Sequence, residues 1–528
     1  MEKKSTQLRW LVTMLLLVTA MAMPKMAWAE IALVEPTNGD GTSENPYQIT
    51  TAAELSWFAD KVNNDNANYS SKNAVLIADI DLEGSATNTW KPIGNTTNQF
   101  NGTFDGGGHK ITGLYINRSG NSNGLFGYLG EGGVIKNLGV EGTVTCGYAV
   151  GGVCGYSEGT IAGCYNNGAV SCIGRLGGVC GYNKGTMQNC YNKGAVNGNN
   201  EVGGVCGFNA GTIRGCYNIG AVNAYQQVGS VCGLNNGTIT YCYYDSDNCT
   251  GNAIGTNNGT ATKVEGKTTE QFKSGEVAYL LSQGTEGSVW GQQLGTDDYP
   301  VLSDYKVIKA AKGDKDANEN DTYWATFSNL NSDVTLSVPS ARNLKVYNAT
   351  VSGGTLTLSE RTDSQVAKGE GVLLKTDKEY VNAKENETDN LTKADYTDNN
   401  LVATPATEQT INTETGYTLY RLTYNNVSTM EGLGFYLGLV KHADGTVISD
   451  DGSQLKATPG KAYLKVSTEA ATTTANAAPA RGFVFPGDDD TTGIGEIVIE
   501  GDAGISGSAN ADDRIYNLQG QQVTAPVK

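Results

Sequence analysis

Histidine is nearly missing from this chain, with two in 528 residues, and that scarcity removes most zinc chemistry at the outset. Neither His109, followed by Lys-Ile-Thr, nor His442, followed by Ala-Asp-Gly, opens the H-E-x-x-H pair that sets two imidazoles on one helix face. No C-x-x-C spacing supplies a thiolate site in its place. Cations are also short: 37 Lys and Arg against 55 Asp and Glu give a net charge of −18, which repels phosphate backbones and excludes nucleic acid as a partner. Proline is scarce at 11 while glycine reaches 69, a balance that suits tight turns between short strands rather than collagen or long helices. Beyond the N-terminus, no run approaches the roughly 20 apolar residues of a membrane-spanning helix.

The N-terminus itself carries Lys3, Lys4 and Arg9, an apolar run from Leu11 to Met23, and Ala27-Trp28-Ala29. This order reads as a secretory signal peptide with cleavage before Glu30. It predicts export to the periplasm, the outer cell surface or the medium. All 11 cysteines fall between Cys146 and Cys249, an odd number, so at least one stays unpaired within a monomer.

Self-similarity dominates the middle of the chain. Residues 134–159, 160–185, 186–211 and 212–237 are four consecutive copies of one unit without insertion or deletion, and a decaying fifth copy opens at Thr238. Each holds short β-type runs (I-x-x-C-Y, A-V, V-G-G-V-C-G) broken by glycine turns. One unit cannot bury its own apolar face, whereas stacked units can. In register, Ile161, Met187, Ile213 and Ile239 form one ladder and Val153, Val179, Val205 and Val231 another, with rungs about 4.8 Å apart. The expected fold is therefore all-β: a right-handed parallel β-helix, followed by β-sandwich-like structure. Two cysteine ladders share the register, Cys154, Cys180, Cys206, Cys232 and Cys164, Cys190, Cys216, Cys242. They read as small buried hydrophobes, although stacked neighbours about 5 Å apart also lie within disulfide reach. Strict alternation cannot place both Val153 and Cys154 inside a flat strand, so their parity stays open.

The unit G-G-V-C-G-[YF]-N-x-G-T-[IM]-x-x-C-Y-N-x-G-A-V resembles the GLUG repeat, and NPYQITTAAELSWFADKVN, WKPIG and FNGTFDGGGHKITGLYI upstream resemble the opening of such solenoids. That resemblance, over about 45–303, implies a secreted bacterial surface protein, as in filamentous-haemagglutinin-like adhesins and a family of immunoglobulin A metallopeptidases; the peptidase activity is excluded by the missing H-E-x-x-H. The end, RIYNLQGQQVTAPVK, resembles the start of a C-terminal sorting domain of exported proteins, without its Lys-rich finish.

The remaining boundaries follow from local pattern. Residues 1–29 are the signal peptide, 30–133 a cap helix with the first coils, 134–250 the repeats, and 251–303 the C-terminal cap of the solenoid. Residues 304–467 are β-sandwich-like, 468–510 a linker, and 511–528 the partial sorting-like strand. Thr51 with Glu54 forms a capping box ahead of Leu55, Phe58 and Val62, predicting a helix over 51–63. Thr268 precedes Phe272, Tyr279 and Leu280 on one helix face, which is expected to plug the last coil.

Chemistry was sought next among the carboxylates. Asp79 and Asp81 would share a strand face about 7 Å apart, and Asp105 lies near His109, so a polysaccharide lyase or glycoside hydrolase is the alternative function. Both motifs read more simply as turn and ladder elements. Asp314, Asp316, Asn318 and Asn320 resemble half a calcium loop but lack its glycine and its bidentate Glu. The G-x-S-x-G patterns at Ser122 and Ser157 precede no helix. No catalytic set, cofactor or metal is therefore assigned. The repeats do offer ladders for recognition: Tyr165, Tyr191, Tyr217 and Tyr243, with Asn183, Asn209 and Asn235, would suit sugar rings if they face outward. The reading is a non-enzymatic, adhesin-like protein binding a host or environmental glycan or protein, with a structural stalk as a further alternative.

Overall fold

The computed structural model describes residues 33–284, most of 289–467, and four short strands between 482 and 523. The expected signal peptide, most of the linker and the sorting-like end, His442 and Asp316 lie outside the described residues. Two units are present, one ending at Thr269 and the next beginning at Glu270.

The first unit is a parallel β-helix whose coils repeat the sequence period. Ile161 pairs with Ile135 and Met187, Met187 with Ile213, and Ile213 with Ile239. Leu176 stacks between Val150 and Val202. Three sheets of eighteen, five and six strands result, and the side chains of every ladder named here are buried. Parallel pairing demands this uniform burial, because identical rungs meet identical neighbours.

Corners, not strand parity, settle Val153 and Cys154. The amides of both donate to one oxygen, the carbonyl of Val179, at 3.1 and 3.1 Å. The strand proper starts only at Cys154. The chain bends between the two residues, and both side chains enter the core with no measurable exposure. A second corner precedes Cys164 and its counterparts, where Asn137, Gly163, Asn189, Gly215 and Tyr241 hold φ between 52° and 63°. Asn and Gly enter this left-handed region most readily, so the alternation of those two residues at one repeat position is a backbone requirement. Gly185 answers a different demand: a Cβ there would lie 1.9 Å from the Gly159 carbonyl oxygen of the coil before.

At the N-terminal end the helix Ala52–Asn64 carries the expected capping box, with Glu54 N donating to Thr51 Oγ1 at 3.3 Å and Glu54 Oε2 accepting from Thr51 N at 3.1 Å. Leu55, Phe58 and Val62 are fully buried, with the Phe58 ring 5.8 Å from Phe100. The last coil is formed by Ile254–Asn257 and Thr260–Lys267.

The expected helical segment is two helices, Thr269–Ser274 and Glu276–Gly284. Thr269 at the start of the first donates to the carboxylates of Asp245 and Asp247, while the second, through Ala278, shares a core with Leu294, Val307 and Tyr380. Its apolar stripe could not reveal which core it enters, since a helix face specifies burial but no partner. Trp290–Gly291 and Val301–Leu302 form the expected antiparallel strand pair.

The rest of the second unit is layered antiparallel sheet. A central sheet built on Asp321–Ser328, Leu344–Ser352, Thr355–Glu360 and Gly371–Thr376 buries both faces. Ala325, Phe327, Val372 and Leu374 meet Ile308, Val334 and Val381 of a four-stranded sheet on one side. Trp324, Tyr347 and Leu373 meet Leu401, Tyr420, Phe435 and Leu464 of a five-stranded sheet on the other.

All eleven cysteines are free thiols and only Cys146 is exposed. Native protein should therefore release one equivalent of chromophore with Ellman's reagent, and eleven after unfolding without reductant. Several fast-reacting thiols, or a shortfall on unfolding, would contradict the buried reduced ladders.

Candidate functional site

Parity around Cys164 decides where each repeat side chain points. Cys164 and Asn166 are buried in the coil, so Tyr165 between them faces outward. Its ring lies across Gly139, where an added Cβ would come within 2.3 Å of it. Tyr165, Tyr191 and Tyr217 stack at 4.8 and 5.0 Å with nearly parallel planes. Outward direction does not amount to exposure, however. Tyr165 is half-buried, while Tyr191, Tyr217 and Tyr243 are 6%, 0% and 1% exposed. Stacking covers the ring faces a sugar would need, so the expected open platform is absent at Tyr191, Tyr217 and Tyr243.

Asn183, Asn209 and Asn235 are fully buried. Each side-chain amide donates to the carboxamide oxygen one coil further on, at 2.8, 2.8 and 2.7 Å, the last to Asn257. Asn209 Oδ1 also accepts from Gly211 N at 3.2 Å. A second such ladder runs Asn166, Asn192, Asn218 with 2.8 Å links and ends on the Cys249 thiol. These amides hold turns inside the solenoid and are closed to ligand by their burial; each amide nitrogen is taken up by a turn carbonyl and the next rung, while Asn183 Oδ1 at the start of its ladder is left without a partner.

The carboxylates considered for hydrolysis are likewise engaged. Backbone Lys110 N and the His109 ring donate to Asp79 Oδ1 at 3.1 and 3.1 Å, and these bonds hold its carboxyl below the usual range. Asp81 Oδ1 accepts from Glu83 N at 2.9 Å. Burial pushes the Asp105 carboxyl up, but the bonds from Gly107 N, Lys136 and Asn137 outweigh it and leave its pKa lowered. Of the half calcium loop, Asp314 belongs to the strand Ala311–Lys315, and Asn318 and Asn320 lie between it and its antiparallel partner Asp321–Ser328. Among the described residues no group of three or more His, Cys, Asp or Glu side chains could hold a metal ion.

A different face carries the features of a site. Tyr128, Tyr156, Tyr182 and Phe208 stack at 4.4, 4.5 and 4.6 Å on the outside of the six-stranded sheet, with the three tyrosines partly exposed. The Arg175 guanidinium lies 4.5 Å from the Tyr182 ring and 4.4 Å from that of Phe208, and its Nε pairs with Glu201 at 2.5 Å. Lys184 bridges Glu158 at 3.2 Å and the Tyr156 ring at 5.6 Å. Beside this strip lies the longest run over which the four copies disagree: CGYA at 146–149, CIGR at 172–175, GNNE at 198–201 and AYQQ at 224–227. Its tips are open, with Tyr148, Ile173 and Tyr225 at 57%, 76% and 87% exposure. Comparing the copies for difference, not likeness, would have marked this stretch from the sequence.

No family model matches the chain. Over 111 residues, 20% of this chain, it is 43% identical to the “Putative Gly-rich membrane protein” of Evansella cellulosilytica, of which it spans 12%. Over 142 residues, 25% of the chain, it is 38% identical to the halomucin of Haloquadratum walsbyi, of which it spans 2%. The chain thus spans a small fraction of these curated relatives. The crystal structure of a “putative immunoglobulin A1 protease” from Bacteroides ovatus is similar at a TM-score of 0.40 and 21% identity, over 50% of this chain and 94% of that one.

Replacing Asn209 by Ala should lower stability by about 1–3 kcal/mol in urea unfolding, because it strands buried partners in the coils on either side. Asn199→Ala, on an exposed turn, should change it by less than about 0.5 kcal/mol. Equal effects would contradict the internal role assigned to the amide ladder.

Proposed function

We propose that this chain is an exported, adhesin-like binding protein that recognises carbohydrate through the outer face of its solenoid. The observation that carries the reading is the coincidence of the variable, exposed turns with the aromatic strip Tyr128–Tyr156–Tyr182–Phe208. A rigid stack of coils positions side chains about 4.8 Å apart, and repeat scaffolds characteristically place their variation on the binding face. The open rings of Tyr148 and Tyr225 and the exposed edges of the stacked tyrosines suit the apolar side of a sugar ring, while the Arg175–Glu201 and Lys184–Glu158 pairs offer charged hydrogen-bonding groups to its hydroxyls. The likeness of the unit to the GLUG repeat and the signal-peptide pattern support the cell-surface setting. Relatives named as a membrane protein and a halomucin fit the same setting, and no helix among the described residues is long and apolar enough to cross a membrane. Display of the second unit on a structural stalk would use the same scaffold but leave the variable turns without a task.

A glycan array probed with the full chain, beside a Tyr148→Ser, Ile173→Ser, Tyr225→Ser variant, tests this directly. The wild type should retain a defined subset of glycans and the variant should lose at least about tenfold in affinity, roughly 1.4 kcal/mol. No retained glycan, or retention unaffected by the triple change, would sink the proposal.

A further inference from the structure

The second unit holds a cleft of about 260 Å³ lined by the cations Lys309, Arg421, Lys456 and Lys461 and, among the described residues, by no carboxylate, with Trp324 and Tyr463 as aromatic walls. In a chain of net charge −18, such a concentration of positive charge is local and specific. Two of the cations are already matched, Lys309 with Glu379 at 2.9 Å and Lys456 with Glu408 at 2.6 Å. Among the described residues the other two are not. Arg421 Nε is buried without a hydrogen-bond partner, and the Lys461 ammonium reaches only the Lys309 carbonyl, at 3.4 Å. A cation loses hydration as it is drawn from the surface, and a cleft lined by two part-buried, unmatched ones favours an anion.

The lysine is also held in place. Lys461 N donates to Thr404 Oγ1 at 3.2 Å, Thr404 Oγ1 donates to the Lys461 carbonyl at 2.9 Å, and Ser328 Oγ donates to the same oxygen. Its backbone is thereby clamped from two strands, so the ammonium is presented on a rigid support. Desolvation brings its pKa down to about 8.

We propose that this cleft is a binding site for a small oxyanion-bearing ligand, its carboxylate, sulfate or phosphate oxygens taken by Arg421 and Lys461. The planar guanidinium offers paired donors to such oxygens and the ammonium a point charge. The volume falls just short of the roughly 300 Å³ at which drug-sized sites begin, so the site takes a free ion or one acidic sugar residue. This site belongs to the second unit and does not depend on the carbohydrate reading.

Thermal unfolding of the full chain at constant ionic strength, with sodium chloride replaced stepwise by sulfate, phosphate or glucuronate, provides the test. At least one of these should raise the melting temperature saturably, and both Arg421→Gln and Lys461→Met should abolish the rise. Lys461→Met removes a desolvated charge, so its own melting temperature without ligand should not fall at pH 7; Arg421→Gln serves as the independent check. A response to glucuronate alone assigns an acidic sugar, and a response to all three assigns the free oxyanion. Probes no better than chloride, or variants that respond like the wild type, overturn the site.

Discussion

Everything in the repeats depends on the in-register parallel backbone ladder, which from 134 to 237 sets each residue over its counterpart in the coil before, as Ile161 over Ile135 and Met187 over Ile161; coils outside the repeats differ in length and keep the pairing, with Ile80 beside Ile111 and Cys232 beside Ile254. With the period fixed, a side chain meets its own kind above and below. Isoleucine and valine then fill the core without voids, thiols stack as small apolar groups, and asparagine amides can donate along the axis from rung to rung. The same rule fixes the corners. A left-handed residue at Asn137, Gly163, Asn189, Gly215 and Tyr241 bends each coil at one place, and the price of that conformation in Tyr241 is met by the ladder around it.

Regularity also says where binding can reside. Ladders that complete the coil have their polar atoms and ring faces taken up by neighbouring rungs, as with Asn209 and Tyr217. Only positions released from that duty are free to differ between copies. The longest run of them is at 146–149, 172–175, 198–201 and 224–227, beside the partly exposed tyrosines; elsewhere they are single positions, as at Glu158, Lys184, Ala210 and Asn236.

Much of this was legible in the sequence, and the failures have physical causes. The period, the Ile and Val ladders and the capping box at Thr51 all follow from spacing. Parity around Val153 and Cys154 did not, because a corner breaks the two-residue alternation on which such readings rest. Period carries no information about cover, so spacing marks the ladder at Tyr165 without showing that Tyr191, Tyr217 and Tyr243 are buried in it. In the second unit, near-continuous apolar runs such as Gly371-Val372-Leu373-Leu374 are the mark of a sheet buried on both faces, as the central sheet is. The helix at Glu276–Gly284 and the Arg421–Lys461 cleft rest on contacts between residues far apart in sequence, which no local pattern encodes.

The central claim is that one whole period is the indivisible unit of the fold. Deletion of residues 186–211 removes one coil and joins equivalent positions, so every ladder closes across the gap. Cooperative thermal unfolding followed by circular dichroism should show that protein folded, with β-sheet content retained, whereas deletion of the half-period 186–198 should not fold. A whole-period deletion that unfolds as readily as the half-period one would contradict the account.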